Sequence, residues 1–504
     1  MTGSPEAPRK ATWRDLPRRW WVVSLYYAEG FPYSLVRLMS TAYFKDHGAS
    51  LQAVGMTSLL GIPWVLKFLW APLVDAFSTK RRWLLSIEGA VVVGLVLIGL
   101  ASLVPNPLVA GAVVFFLLAA VAATHDIAID GYYLEALDRT DQARFVGFQS
   151  AAYRVAMISG GGGVAWLCGR YSYLTGYLVA AALLGTLWGL HATRLPRIET
   201  VQRPGRELLD FLFRPRIATA FLGTTAAIVA LWAVLRDDRV EAAIGPLAKI
   251  SAPSWIVILL LVGLATLAAR APALKKRLYA SDSHYALAFI DYLDRPRIGL
   301  VLAFIVTYRI GEAQVQSMAY PFLKDIGITL EQYGLAHNTF GILATIVGSI
   351  IGGFLIARFG LKRCMWPFVL ALNSLNVLYM LLAWNYRALL ENSDAGRADF
   401  WLVCALITAE AFGAGFGNAA LTVFIFRTTR PRFKAAHFAI GTGLMNIAGT
   451  LAGVVSGFVA AKIGFVWFFA FTAVATIPNM CMIPFLPFLD GDPDRESSTD
   501  AATG

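Results

Sequence analysis

The sequence predicts an all-α polytopic membrane protein made of two homologous six-helix bundles with two further helices inserted between them, about fourteen spans in all. Three observations carry that expectation. The 504 residues are 57% hydrophobic and 15% charged, against roughly 45–50% and 25% for a soluble domain. Apolar windows of about 20 residues, the length that crosses a 30 Å hydrocarbon core as a helix, recur along the whole chain. Finally, "AYFKDHGASLQAVG" from Ala42 returns as "YPFLKDIGITLEQYG" from Tyr320. Lys45 matches Lys324 at a shift of 279 positions, and Asp46/Asp325, Gly48/Gly327, Ser50/Thr329, Leu51/Leu330 and Gly55/Gly334 follow in register. Duplication of a polar loop between apolar segments is the mark of a carrier built from parallel repeats.

Taken in order, residues 1–19 are polar and basic and form an N-terminal segment. The apolar run after them lacks a small-residue cleavage site, so it reads as a retained first helix. A first bundle covers 20–191, with spans at about 20–43, 53–77, 84–104, 107–135, 145–168 and 173–191. Residues 192–297 hold linkers and two more apolar segments near 217–235 and 253–269. There "DFLFRPRI" from Asp210 and "DYLDRPRI" from Asp291 resemble one another, through either a duplicated lead-in to a span or chance. The second bundle covers 298–489, with spans at about 298–322, 332–357, 364–384, 399–426, 436–460 and 464–486. The tail 490–504 is polar, without periodicity, and reads as disordered.

The net charge of +11 reports topology. With both termini inside, most of the 43 Lys and Arg fall in the inner connecting segments, as the positive-inside rule requires. A nucleic-acid surface would not alternate loop by loop, so no nucleic-acid partner is expected. Cys168, Cys364, Cys404 and Cys481 are scattered through apolar segments and read as packing residues, with no metal or cofactor implied.

Charges inside the spans are the candidate site, because a charge at that depth costs several kcal/mol unless paired or hydrated. "HDIAIDG" places Asp126 and Asp130 one turn apart on one face of the fourth span. They are proton-carrier candidates or interhelical ties. "TYRIGEAQ" sets Arg309 three residues before Glu312, beside Tyr308, as either a structural ion pair or a pair that cargo opens, freeing Glu312 for a proton. Lys67 and Arg154 add positive charge, and with Arg309 they would attract an anion. Arg154 could instead pair with Asp126 or Asp130. Glu29 and Arg37 flank Gly30 and Pro32 in the first span, where they would pair along one helix or touch cargo. Glu410 in "TAEAFGAGFG" is a further acid inside an apolar run. The glycines around it and at 160–163 lack the ending of a phosphate loop and suit close helix packing.

After the second span, "LWAPLVDAFSTKRRW" holds Asp75, Lys80, Arg81 and Arg82, and "GGFLIARFGLKR" holds Gly353, Arg358, Gly360, Lys362 and Arg363 in the second half. Both resemble the cytoplasmic loop signature of the major facilitator superfamily, with Ala357 and Ala71 replacing one signature residue in each copy. The resemblance implies an inner gate formed by these residues. "LKFLWAPLVDAF", "HDIAIDGYYLEAL", "AYRVAMISGGG", "YRIGEA" and "EAFGAGFGNAAL" are similar to AmpG-type permeases and the related acetyl-coenzyme A transporters. That implies a non-enzymatic secondary carrier in a bacterial inner membrane, monomeric, taking up an anionic solute with protons. An anhydromuropeptide is the implied cargo and an acyl-coenzyme A-like anion the alternative. Glu410 matches the acid of the family's tenth core span. Outside transport, a membrane-embedded enzyme or a non-transporting sensor would share the composition, but no metal spacing, nucleophile elbow or phosphate loop is present.

Overall fold

The computed structural model describes residues 19–67, 70–137, 139–197, 290–374, 376–391, 396–429 and 434–490, with isolated positions between 204 and 273. The segment before 19, both inserted helices, the lead-in at Asp210 and the tail beyond 490 lie outside the described residues. Within them the chain is helical and has no strand, and eight helices are long and apolar enough to cross a membrane.

In the first half, α1 (Trp20–Ser34) continues through a widened turn at Leu35–Met39 into α2 (Ser40–Asp46). α3 (Leu51–Met56) tightens at Thr57–Gly61 before α4 (Ile62–Leu66), and α5 (Ala71–Ala76) follows. Then come α6 (Lys80–Ala101), α7 (Pro107–Ala136), α8 (Arg139–Met157), α9 (Ala165–Arg170) and α10 (Tyr173–Arg194). The second half comprises α11 (Ile298–Tyr308), α12 (Ile310–Asp325), α13 (Leu330–Leu335), α14 (Ile342–Phe359), α15 (Leu361–Ser374), α16 (Asn376–Asn385), α17 (Phe400–Thr428), α18 (Lys434–Ala475) and α19 (Ile477–Met482). Gly464, at φ 75°, divides α18 into two crossings.

The duplicated loop shows why its residue types repeat. Gly48 and Gly327 end α2 and α12 in the left-handed region, at φ 82° and 90°. The amides around them bond identically: Gly48 to the Lys45 carbonyl and Ala49 to Phe44, Gly327 to Lys324 and Ile328 to Leu323. This is the Schellman pattern, in which glycine avoids the steric penalty of a Cβ. Two residues on, the Ser50 and Thr329 hydroxyls accept from the amides of Ala53 and Gln332 and start the next helix, Gln332 completing a capping box.

The halves meet at this end. α3 lies along α18, and α13 lies along α9. Backbones nearly touch at both crossings: a Cβ at Gly55 would lie 3.0 Å from the Val454 carbonyl oxygen, and one at Gly334 2.7 Å from Ala165 Cβ. Asn338 also donates to the Gly161 carbonyl across the halves at 2.7 Å. In membrane proteins such glycine crossings supply the close packing that hydrophobicity cannot.

Candidate functional site

Charged side chains converge in two groups, one in each half. The first is built on α1, α4 and α7. Carboxylate oxygens of Glu29, Asp126 and Asp130 all lie within 4.8 Å of one another. Lys67, just past α4, forms an ion pair with Asp126, and the Tyr26 hydroxyl donates to Asp130 at 2.9 Å. The i, i+3 spacing of Tyr26 and Glu29 brings both to the face of α1 that meets α7. Beside them a cavity of about 250 Å³ is lined by Tyr26, Glu29, Tyr153 and Arg154.

Three carboxylates against one ammonium leave the group short of positive charge. At 4.8 Å, two unit charges repel by about 3–4 kcal/mol at an effective dielectric of roughly 20. A proton, or a cationic group on a bound solute, relieves that repulsion. The three acids are also spaced as cation ligands would be, yet the Lys67 ammonium already sits on one of them.

The second group stands at the break between α11 and α12. Arg309 leaves helical geometry there (φ −105°, ψ 13°) and turns its guanidinium onto Glu312 in the first turn of α12. Two bonds form, Nε to Oε2 at 2.7 Å and Nη2 to Oε1 at 2.6 Å. Glu312 is buried, whereas Arg309 remains a third exposed. The neighbouring Tyr308 hydroxyl is tied to the Gly417 carbonyl at 2.9 Å. Glu410 is 3% exposed and within electrostatic reach of Glu312 and Arg309.

Several expectations change. Glu29 and Arg37 do not pair: Glu29 joins the acidic group, and Arg37 Nη1 donates to the Ser58 carbonyl at 2.8 Å. Gly61 admits that guanidinium, since a Cβ there would lie 2.6 Å from Nη1. Among the described residues no ion pair joins Arg154 to Asp126 or Asp130; it lines the cavity instead. Arg309 holds Glu312, the partner that its spacing offered, and Lys67 holds Asp126, so each engages a carboxylate of its own half.

At the end away from Lys45, Arg81 donates to the Ala192 and Leu195 carbonyls at 2.7 and 3.2 Å, capping α10. Arg82 is exposed and its amide bonds to the Thr79 hydroxyl. Arg358 lies over the Phe359 ring at 5.3 Å, Gly360 ends α14 at φ 82°, and Gly353 faces open space. The side chain of Asp75 lies outside the described residues.

Two polar clusters escaped sequence reasoning. At the Lys45 end the duplicated pairs exchange partners: Lys45 Nζ meets Asp325 at 2.8 Å and Lys324 Nζ meets Asp46 at 2.6 Å. Asp46 also accepts from the Tyr320 and Tyr173 hydroxyls at 2.6 and 2.8 Å. Opposite charges at adjacent duplicated positions were the available signal. The second cluster ties α1, α6 and α10: Glu88 meets His191 Nδ1 at 2.9 Å, and Nε2 lies 2.9 Å from Ser24 Oγ. Although this resembles a Ser-His-acid relay, Glu88 and His191 are 0% exposed and no substrate could reach them. Its members lie on three separate helices, beyond the reach of motif reading.

Comparison with known proteins agrees with this architecture. Residues 299–503 match the Major Facilitator Superfamily model and residues 28–202 match the BT1 family. The anhydromuropeptide permease of Escherichia coli K12 is 23% identical over 93% of this chain and 79% of its own length. The putative transporter AmpG 4 of Rickettsia conorii is 21% identical over 91% of this chain and 93% of its own. Among solved structures, an auto-inhibited POT family peptide transporter superposes with TM-score 0.64 at 12% identity, covering 95% of this chain and 98% of that one. The nucleoside transporter NupG gives 0.55 at 15%, covering 92% and 98%. Those structural likenesses show the fold. Duplicated halves, a closed crossing end and these likenesses agree on a multi-pass membrane protein with the major facilitator fold, similar to the Major Facilitator Superfamily model over its second half and to the BT1 family over its first.

Proposed function

We propose that this protein is a secondary transporter that imports an anhydromuropeptide together with protons by alternating access, with both termini cytoplasmic and a monomer as the working unit. The observation that carries the reading is the pairing of the halves at the Lys45 end, beside a charged interior. Lys45 and Lys324 each hold the other half's aspartate, while Glu29, Lys67, Asp126 and Asp130 collect within the first half and Arg309 and Glu312 within the second. With the Lys45 end outside, this is an arrangement closed to the exterior.

The residues suggest a division of labour. A cargo carboxylate that engages Arg309 competes with Glu312, because one planar guanidinium offers its two-pronged face to one carboxylate at a time. Glu312 so released in a low-dielectric interior takes a proton to remain uncharged. In the first half, Asp126 and Asp130 hold the other exchangeable charge. An anhydromuropeptide carries both carboxylates and polar sugar hydroxyls, and the permease of Escherichia coli named for it is similar over 93% of this chain and 79% of its own length.

The test is uptake of labelled anhydromuropeptide into proteoliposomes with and without an inward proton gradient. Gradient-dependent accumulation of unaltered cargo is expected. Accumulation that ignores the gradient would remove proton coupling, and no accumulation would remove the cargo.

A further inference from the structure

In one region of the second half, seven buried side-chain atoms find no hydrogen-bond partner among the described residues. They are Oε1 of Gln314, both amide atoms of Asn373 and of Asn376, the Tyr379 hydroxyl and Oε1 of Glu410. All five residues are 6% exposed or less. Gln314 sits on α12, Asn373 near the end of α15, Asn376 and Tyr379 on α16 and Glu410 on α17. These helices pack on one another. With α15 and α16 counted as the single crossing Leu361–Asn385 and 1.5 Å per residue, each side chain lies roughly 10 to 20 Å below the Lys45 end of its crossing, so the five share one layer. Two observations place members of the layer near one another. A Cβ at Gly311, one turn before Gln314, would lie 3.2 Å from Asn376 Nδ2, and Tyr379 is within electrostatic reach of Glu410.

Magnitudes decide how this layer is satisfied. A buried donor or acceptor left unmade costs about 1–3 kcal/mol, so seven would cost on the order of 10 kcal/mol, as much as an entire domain's typical stability. A cation could satisfy the oxygens but not the two amide nitrogens, which only donate. Ordered water does both, each molecule making two to four bonds.

We propose that this layer binds a chain of ordered water that runs from Asn373 past Glu410 to the Arg309–Glu312 pair and conducts the coupling proton. Resting on the transporter reading above, it gives the second half a proton route separate from the acidic group of the first. The proton moves from the Glu410 carboxyl along the water chain to the Glu312 carboxylate, leaving Glu410 as the carboxylate and Glu312 neutral. Arg309 is thereby released to the cargo's carboxylate.

Two experiments on the full chain test this. Radiolytic hydroxyl labelling in lipid nanodiscs converts bound water beside a side chain into a covalent mark. Tyr379 should label several-fold faster than Tyr308, which is comparably buried but has its hydroxyl on a carbonyl. Equal labelling overturns the water chain, whatever the cargo proves to be. In proteoliposomes, Asn376→Leu should lower gradient-driven uptake of anhydromuropeptide about tenfold, the low end of a positioned proton transfer, while gradient-free counterflow continues. Equal loss of both, or loss of neither, overturns the proton route. A rise in the thermal midpoint of Asn376→Leu would also count against it, since removing a dry unmade group stabilises. Wild-type protein that labels Tyr379 but moves no anhydromuropeptide would remove the cargo and the proton route, and leave the water layer standing.

Discussion

Lys45 of the first half contacts Asp325 of the second at 2.8 Å, and their repeats return the exchange, Lys324 contacting Asp46 at 2.6 Å. A gene-duplicated Lys-Asp dipeptide thus becomes a two-fold latch: each copy is complementary to the other. Within either copy the lysine and aspartate are adjacent on a helix and point apart.

Lys45→Asp should loosen the closed end. The pair is partly solvated, with side chains 15% and 36% exposed, so it contributes about 1 kcal/mol, a roughly fivefold change in the closed population. A cysteine at Ala336, 0% exposed behind the latch, should react correspondingly faster with a membrane-impermeant maleimide once exposed Cys481 is replaced. Adding Asp325→Lys should restore the slow rate; an unchanged fast rate in the double variant would show that the pair does not latch.

Lys67→Met should be among the most destabilising substitutions in the first half, about 3–5 kcal/mol, because it strands a buried charge. Three acids then face one another without a cation. Lys67→Met with Asp126→Asn should recover most of the loss in thermal midpoint. If the double variant is no better than the single, the ion pair is not what balances the group.

Glycines of the loops should divide by backbone angle. Gly360→Ala, at φ 82°, should cost about 1–2 kcal/mol, and Gly327→Ala more, since its Cβ would lie 2.9 Å from Arg397 Cγ. Gly353→Ala meets nothing within 4 Å inside a helix and should be neutral or stabilising by up to about 1 kcal/mol. Thermal unfolding in one detergent ranks all three, and a destabilised Gly353→Ala would point to a contact made in another conformation.

Arg309→Lys should keep the fold and lose cargo affinity. A lysine replaces the two bonds to Glu312, at 2.6 and 2.7 Å, with a point charge. The KM for uptake should rise about tenfold, the value of one charge-assisted hydrogen bond. An unchanged KM with a lower rate would assign Arg309 to the conformational cycle rather than to binding.

Much of the fold was legible because helices in lipid must be long, apolar and internally bonded. Gly48 and Ser50 were legible, with their repeats, as positions of a duplicated polar loop, and the structure shows them ending one helix and starting the next. Asp126, Asp130, Arg309 and Glu312 were visible as charges where charge is costly. Harder to see were partners on other helices. Glu29 looked like a mate for Arg37 on the same helix, but it belongs with Asp126 and Asp130 on α7. His191 lacks any local motif that points to Glu88, 103 residues away.

The sequence by itself determined the duplicated helical membrane architecture and which charges lie within it, since composition, periodicity and a repeat are properties of the chain. Tertiary structure alone decided the pairing: Lys45 to Asp325 rather than to solvent, Lys67 to Asp126, Arg37 to a backbone carbonyl. The physical reason is that a buried charge takes whichever opposite charge or dipole the packed helices bring within about 3 Å, and helix packing is set by glycine crossings such as Gly55 on Gly457, which no local pattern encodes.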